Sequence, residues 1–190
     1  MSLPHALLTA LVERSGSGSE LAARFDKSIG HFWHATHHQI YRELARLEAA
    51  GWVQSQPEAS ARGRKRVYRI VPAGREELRR WVAQEDRSPA LRDAFMVRLR
   101  AEGAVGPAGL QPEIERRLAL HRAQLALYQD FERRDLAAGV PQDREGALQA
   151  LVLQAGIRYE SFWIDLLTQA RTALELPARE AGQPPASGQV

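Results

Sequence analysis

The chain has 190 residues, of which 44% are hydrophobic and none is cysteine, and its formal net charge is +3. This hydrophobic content is sufficient for a folded core, which excludes a chain that is disordered throughout. The absence of cysteine excludes disulfide frameworks, thiolate metal sites and cysteine nucleophiles.

The amino terminus lacks the basic start of a signal peptide. No apolar run approaches the roughly 20 residues that cross a bilayer. We therefore expect a cytoplasmic protein with no membrane segment. The opening stretch instead predicts a helix over residues 4–14, whose apolar stripe is formed by Leu7, Leu8, Leu11 and Val12.

Two capping boxes mark the starts of the next two helices. Ser17 and Glu20 fit the S-x-x-E spacing and predict a second helix that runs to about Ile29. Thr36 and Gln39 fit the related T-x-x-Q spacing and predict a third helix that begins directly afterwards. In both cases a side chain satisfies an amide group that the first helical turn leaves unpaired.

The third helix has an apolar side and a polar side. Ile40, Leu44 and Leu47 recur at i, i+4 and i+7 and predict its buried stripe, and Gly51 is placed to end it. The opposite side carries polar groups near its amino-terminal end, where helix-turn-helix proteins read base edges. A solvated polar face is the alternative. The candidate DNA-binding residues here are His37, His38, Gln39, Tyr41 and Arg42.

Two strands are predicted at 52–56 and 67–71, with a basic loop over 57–66 between them and a further helix from residue 72. The loop would form a wing that contacts the DNA backbone or the minor groove. An ordinary charged edge loop is the alternative. The order of helices and strands predicts a winged helix over 1–88. The candidate DNA-binding residues in the wing are Arg62, Arg64, Lys65 and Arg66.

Four of the six histidines lie within residues 31–38. His34 and His38 have the i, i+4 spacing of two metal ligands on one helix, but the capping box places His34 ahead of the helix. No nucleophile or carboxylate pattern accompanies them. We therefore expect no metal ion, no cofactor and no catalytic residue. A helical ligand- or metal-binding protein, whose winged helix mediates protein contacts, remains the alternative function.

The second half of the chain is predicted to be helical at 90–102, 112–138 and 142–175, and the Pro/Gly/Ser-rich tail from 177 to be disordered. The last helix carries more apolar surface than one antiparallel partner covers, which predicts a homodimer formed by a domain over 89–176. The candidate dimerisation residues are Leu148, Val152, Tyr159, Phe162, Trp163 and Leu166.

The charge is distributed unevenly between the two halves. Residues 1–88 carry 14 basic and 10 acidic side chains, whereas residues 89–190 carry 12 and 13. A basic excess in the half that contains the predicted winged helix is compatible with nucleic-acid binding.

Three segments resemble the PadR family of winged-helix transcriptional regulators. They are "IGHFWHATHHQIYRELARLEAAGWV" (29–53), "RKRVYRIVPAGREEL" (64–78) and "RDAFMVRL" (92–99). The opening "MSLPHALLTAL" is most similar to the AphA-like, Vir-type branch. The resemblance covers about residues 1–100 well and the C-terminal helices weakly.

The resemblance implies a mainly α protein with an N-terminal winged helix, a C-terminal helical dimerisation domain and no catalysis. Its partners would be a second copy and double-stranded DNA with a palindromic operator. By position, Tyr41 and the outward side of the third helix match the recognition helix, and Arg64–Arg66 match the wing. A small-molecule effector is compatible with the family, and the candidate lining residues are Trp33, Trp81, Tyr159 and Trp163.

Overall fold

The structure is a computed structural model, and it describes residues 3–27, 35–57, 65–85, 92–139 and 143–177. The chain divides into two compact units, Met1–Ser88 and Pro89–Val190, each with its own buried core. Among the described residues, no helix combines the length and the apolarity that crossing a bilayer requires. The predicted end of the second helix at Ile29 and the tail from 178 lie outside these ranges.

Within its described residues, the first unit forms four helices and three short strands. This order is the winged helix that the sequence predicted. The elements are α1 (Leu3–Glu13), β1 (Gly16–Ser17), α2 (Gly18–Lys27), α3 (His37–Ala49), β2 (Val53–Pro57), β3 (Arg66–Ile70) and α4 (Pro72–Val82).

Both predicted capping boxes form. The Ser17 hydroxyl accepts from the Glu20 amide at 3.3 Å, and the Glu20 carboxylate accepts from the Ser17 amide at 2.8 Å. At α3, the Thr36 hydroxyl accepts from the Gln39 amide at 3.2 Å, and the Gln39 side chain accepts from the Thr36 amide at 2.8 Å. These bonds satisfy amides that the first helical turn leaves unpaired. Gly51, with φ of +72°, follows the helix where the sequence predicted its end.

The sheet has three antiparallel strands in the order β1-β3-β2. The predicted strands at 52–56 and 67–71 are confirmed with shifts of one residue. The remaining strand, β1, was not predicted, because its two residues are too few to show an alternating pattern. Tyr68 on the central strand pairs with Gly16 on one side and Ser55 on the other. β2 is therefore an edge strand of this sheet.

The core of the first unit lies between the helices and one face of the sheet. Ile40, Leu44 and Leu47 are at most 1% exposed, which confirms the predicted stripe of α3. Val12 was predicted in the stripe of α1 but is 38% exposed, at the carboxyl end of the helix beyond its last buried residue, Leu11. The other buried hydrophobic residues of this core are Leu7, Leu8, Ala10, Leu21, Ala22, Phe25 and Val53.

The described part of the second unit forms three helices, α5 (Ala94–Val105), α6 (Gln111–Ala138) and α7 (Arg144–Leu174). α5 begins later than the predicted residue 90, because the Asp93 carboxylate caps it. That carboxylate accepts from the amides of Phe95 and Met96 at 2.7 and 3.3 Å.

α6 and α7 pack antiparallel. Glu115 near the start of α6 pairs with Arg171 near the end of α7, and His121 pairs with Glu160 further along. The buried side of α6 includes Ile114, Leu118 and Tyr128. The core of this unit consists of Phe95, Leu110, Ile114, Leu118, Trp163 and Leu167.

Gly74 of α4 lies close to Trp52, the residue before β2, and to Ile70 of β3, and this approach can be tested. A Cβ atom on Gly74 would lie 2.2 Å from the Trp52 carbonyl oxygen and 2.9 Å from Cγ1 of Ile70. A backbone oxygen cannot yield as the end of a side chain does. We expect Gly74→Ala to lower the free energy of unfolding by about 1–3 kcal/mol, measured by urea denaturation.

Gly103 in α5 supplies the matched control. A Cβ atom there would meet nothing within 4 Å. Because alanine favours a helix more than glycine, Gly103→Ala should raise the free energy of unfolding by about 0.5–1 kcal/mol. Equal stabilities of the two variants would contradict the close approach at Gly74.

Candidate nucleic-acid interface

The five candidate residues of α3 are exposed. The burial of Ile40, Leu44 and Leu47 turns the opposite side of this helix to solvent. Ala45 and Ala49 continue that side toward the carboxyl end of the helix, and their small side chains would allow a close approach to a groove. The exposed candidates are His37, His38, Gln39, Tyr41 and Arg42.

Arg42 is the strongest candidate on this side for reading a base. Across the described parts of the chain its guanidinium forms no ion pair, whereas Arg46, one turn later, lies 3.5 Å from the Glu43 carboxylate. A guanidinium presents five N–H donors in a planar fork. That geometry matches the O6 and N7 acceptors of guanine in the major groove.

The Gln39 side chain caps the amino-terminal end of α3. Its side-chain oxygen accepts from the amide of Thr36 at 2.8 Å and lies 3.2 Å from the Thr36 hydroxyl. Bidentate pairing with adenine needs that same oxygen. The capping role that the sequence predicted for Gln39 is confirmed, and its contact with DNA stays a prediction.

Tyr41 lies across the start of α2. A Cβ atom on Gly18 would be 2.2 Å from Cε1 of the Tyr41 ring, so only glycine leaves room for this arrangement. The ring is nevertheless 45% exposed. Tyr41 is thus held in place by the neighbouring helix while part of its surface stays accessible beside Arg42.

The described cations of the predicted wing are paired with carboxylates. Nζ of Lys65 lies 3.3 Å from Oε1 of Glu20 at the start of α2. Arg66 donates from Nε to the Ser55 hydroxyl at 2.6 Å, and its Nη2 lies 3.5 Å from Oε1 of Glu48. The sequence predicted these cations as phosphate contacts and did not predict their partners. Arg62 and Arg64 lie outside the described residues.

Glu48 and Ser55 form a polar cluster beside the two hairpin strands. Oε1 of Glu48 accepts from the Ser55 hydroxyl at 2.5 Å and from the Ser55 amide at 2.9 Å. The hydroxyl bond is the largest cause that holds the pKa of Glu48 below its ordinary value, and Arg66 contributes further. Ser55 is only 8% exposed, so this cluster is built into the fold.

Sequence reasoning missed Glu48 and Ser55 altogether. Glu48 is an acidic residue near the end of an amphipathic helix, and Ser55 is a small polar residue in a strand. Neither feature is a signal by itself. Glu20 was identified as a capping residue, but its pairing with Lys65, 45 residues away, carries no local signal.

The candidate dimerisation residues do not all lie on one surface of α7. Leu148, Val152, Tyr159 and Phe162 are between 50% and 58% exposed. Trp163 is 5% exposed and packs in the core of its own unit, so it retains too little surface for an interface. Leu166 is partly buried against the same core.

The candidate aromatic lining residues are also placed differently. Trp81 stacks on His5 of α1, with ring centroids 4.4 Å apart. Trp163 stacks on His121 and belongs to the core. Tyr159 is 58% exposed. Trp33 lies outside the described residues, as do His31 and His34.

Comparison with known families matches both units. Residues 7–80 match the model of the transcriptional regulator PadR-like family, and residues 91–175 match that of the virulence activator alpha C-terminal region. The chain is also 40% identical over 186 residues to the probable transcriptional regulator Rv1176c of Mycobacterium tuberculosis, covering 92% of this chain and 98% of that protein. The chain belongs to the PadR family of transcriptional regulators. It is a regulator and not an enzyme, as the sequence predicted.

Solved structures agree with this family and its AphA-like branch. The Vibrio cholerae virulence activator AphA is 31% identical to this PadR-family chain, covers 91% of it and 98% of its own chain, and superposes with a TM-score of 0.76. Bacillus subtilis PadR in complex with operator DNA has 22% identity, covers 92% and 100%, and has a TM-score of 0.78. At that identity the second likeness shows the shared fold.

The Glu20 carboxylate gives a prediction about pH. The Ser17 amide, the Ser17 hydroxyl and Lys65, in that order, lower its pKa from 4.5 to about 2. The ionised form therefore stabilises the folded regulator above pH 4.5, and this contribution is lost as the pH falls toward about 2.

We expect Glu20→Gln to lower the urea midpoint of unfolding at neutral pH. The difference from the unmodified chain should shrink as the pH falls below 4.5 and disappear near 2, because the unfolded chain then binds a proton at Glu20 that the folded chain binds only at about pH 2. Urea titrations across this pH range measure it. A difference that stays constant would contradict a role for the ionised carboxylate.

Proposed function

We propose that this PadR-family regulator binds double-stranded operator DNA as a homodimer. α3 would enter the major groove, and the basic hairpin over 57–66 would contact the backbone or the minor groove. Residues 1–88 would form the DNA-binding domain and residues 89–176 the dimerisation domain. The main support is the exposed polar side of α3, where Arg42 forms no ion pair within the described residues.

Two further observations support DNA as the partner. The half of the chain that contains α3 carries the basic excess, which favours association with a polyanion. Bacillus subtilis PadR, which shares the fold, has been solved with operator DNA. A palindromic operator fits this proposal, because a two-fold dimer presents two recognition helices about 34 Å apart to successive major grooves.

The exposed apolar side of α7 supports the dimer. Its residues at 148, 152, 159 and 162 follow helical spacing and are each at least half exposed in one chain. An apolar stripe of this length on a long helix is typical of a surface that a second subunit covers. A two-fold interface uses the same patch on both copies, so one stripe supplies both halves.

The proposal extends to control by a small-molecule effector. Bacillus subtilis PadR has also been solved with p-coumaric acid. That compound is the first to test here, as a competitor of DNA binding in a gel-shift titration. Loss of DNA binding in its presence would support effector control by a phenolic acid, and an unchanged titration would exclude this compound as the effector.

Arg42→Ala tests the reading side of α3. We expect it to weaken binding to a site selected from a random duplex library by about 1–3 kcal/mol and to relax the preference at one or two base pairs. Arg75→Ala, an exposed arginine on α4, is the matched control and should leave the sequence preference unchanged. Unchanged affinity and preference for Arg42→Ala would remove this residue from the interface.

The dimer is tested by Val152→Glu combined with Tyr159→Glu. Both side chains are at least half exposed in one chain, so the change should spare the fold while placing charges in the proposed interface. Sedimentation velocity should show a dimer for the unmodified regulator and a monomer for the variant. Thr172→Glu changes an exposed position on α7 about 160° around the helix from Val152 and 140° from Tyr159, and this control should stay dimeric. A monomeric unmodified chain that binds a palindromic site tightly would contradict the proposal.

A further inference from the structure

The Glu48 carboxylate links the recognition helix to both strands of the hairpin. Its Oε1 accepts two bonds from Ser55 on β2, at 2.5 and 2.9 Å, and lies 3.5 Å from Nη2 of Arg66 on β3. Arg66 also donates from Nε to the Ser55 hydroxyl at 2.6 Å and from Nη2 to the Ser55 carbonyl at 3.3 Å. Three elements therefore meet at one acidic side chain.

The position of this cluster in the sheet explains why it holds the hairpin. β2 is an edge strand, and the Ser55 amide, which donates to Glu48, is directed away from the rest of the sheet. Arg66 is the first residue of β3 and is paired in register with Pro57, the last residue of β2. The cluster therefore fixes the two strands beside the point where the basic loop leaves the sheet.

The neighbouring cation is held in the same way by the other helix of the helix-turn-helix. Lys65 lies 3.3 Å from the Glu20 carboxylate at the start of α2. Two successive cations at the return of the loop are thus engaged by carboxylates on α2 and α3. A residue placed there for phosphate contacts would need no such partners, and a nearby carboxylate opposes binding to a polyanion.

We propose that Glu48 is a positioning residue for operator binding, which acts through Ser55 and Arg66 to fix the hairpin relative to α3. In this arrangement Arg66 stabilises the hairpin and does not contact a phosphate of the DNA. This inference rests on the proposed DNA-binding function. This role gives a carboxylate a function beside the surface that is proposed to approach DNA.

Whether DNA binding tightens or weakens when the Glu48 carboxylate is removed distinguishes a positioning role from a simple charge effect. If Glu48 were only a negative charge near the DNA, its removal would tighten binding, because repulsion of the phosphates would fall. If it positions the hairpin, its removal weakens binding despite the more favourable charge. Alanine and glutamine at this position have the same charge, but only glutamine keeps an oxygen that can accept from Ser55.

The first experiment measures the dissociation constant of the full chain for a selected site and for random duplex. We expect Glu48→Ala to weaken binding to the selected site by about tenfold, the size of effect that loss of one charge-assisted hydrogen bond gives. Glu48→Gln should recover part of the loss. Glu43→Gln, a matched control on the same helix, removes a carboxylate that pairs within α3, and it should bind as well as the unmodified chain or tighter.

Two outcomes would overturn the proposal. The first is Glu48→Ala binding at least as tightly as the Glu43→Gln control. The second is Glu48→Ala and Glu48→Gln binding equally. Failure of the unmodified chain to bind any selected site would instead refute the proposed function itself. Amide exchange gives a readout without DNA, since the Ser55 amide should lose protection in Glu48→Ala while the amides of Leu44 and Leu47 keep theirs.

A second experiment tests the role of Arg66 through the salt dependence of binding. A direct phosphate contact predicts that Arg66→Gln reduces the slope of log affinity against log salt by about one, whether or not Glu48 is also changed. Positioning predicts that the double variant Glu48→Gln with Arg66→Gln keeps the unmodified slope and binds no more weakly than the weaker single variant. A reduced slope in the double variant would refute the assignment of Arg66.

Discussion

Burial of three aliphatic side chains decides which residues α3 can present to a partner. Ile40, Leu44 and Leu47 are essentially inaccessible, and they lie on one stripe of a regular helix. Since an α-helix has a fixed angular period, burying one stripe fixes the direction of every other side chain. His38 and Arg42 face outward for this reason. Rotating the helix would expose these three side chains to water, and polar contacts on the outer side are too weak to compensate for that loss.

Local signals made α3 predictable in its rotation and in its length. The period of the apolar residues gave the rotation, the Thr36–Gln39 capping box gave the start, and Gly51 gave the end. Each of these signals lies within a few residues of its effect. β1 has no such signal, because the two-residue strand Gly16–Ser17 exists only through its pairing with β3. The prediction failed there for lack of pattern.

The partners of the wing cations, like β1, could not be predicted because they depend on contacts between distant parts of the chain. Glu48 and Ser55 are seven residues apart and Ser55 and Arg66 eleven, and only the folded sheet brings the three together. A run of cations in a sequence reports charge density and not pairing. Glu20 and Glu48 have pKa values at or below the ordinary glutamate range, so both are ionised near neutral pH and offset part of the positive charge beside the loop. In the proposed complex, the same pairing would stabilise the shape of the hairpin and weaken its electrostatic attraction for DNA.

In the second unit, sequence periodicity does not determine which of the adjacent residues Phe162 and Trp163 is buried. They are about 100° apart on α7, and the pattern alone assigns either one to the same stripe. The structure separates them, because Phe95 of α5 and His121 of α6 pack against the Trp163 ring. The Phe162 ring lies edge-on to the Trp163 ring, with centroids 5.7 Å apart, and stays half exposed.

The buried Glu160 carboxylate fixes how α6 and α7 are aligned. It is 7% exposed and lies 2.6 Å from Nδ1 of His121. A carboxylate in such a site is costly unless it is paired, and one imidazole at one height of α6 supplies that pairing. A shift of either helix along the other would break it. One side of α7 is therefore covered by α6, while its apolar outer side stays exposed in a single chain. In the proposed dimer, the second copy would cover that outer side.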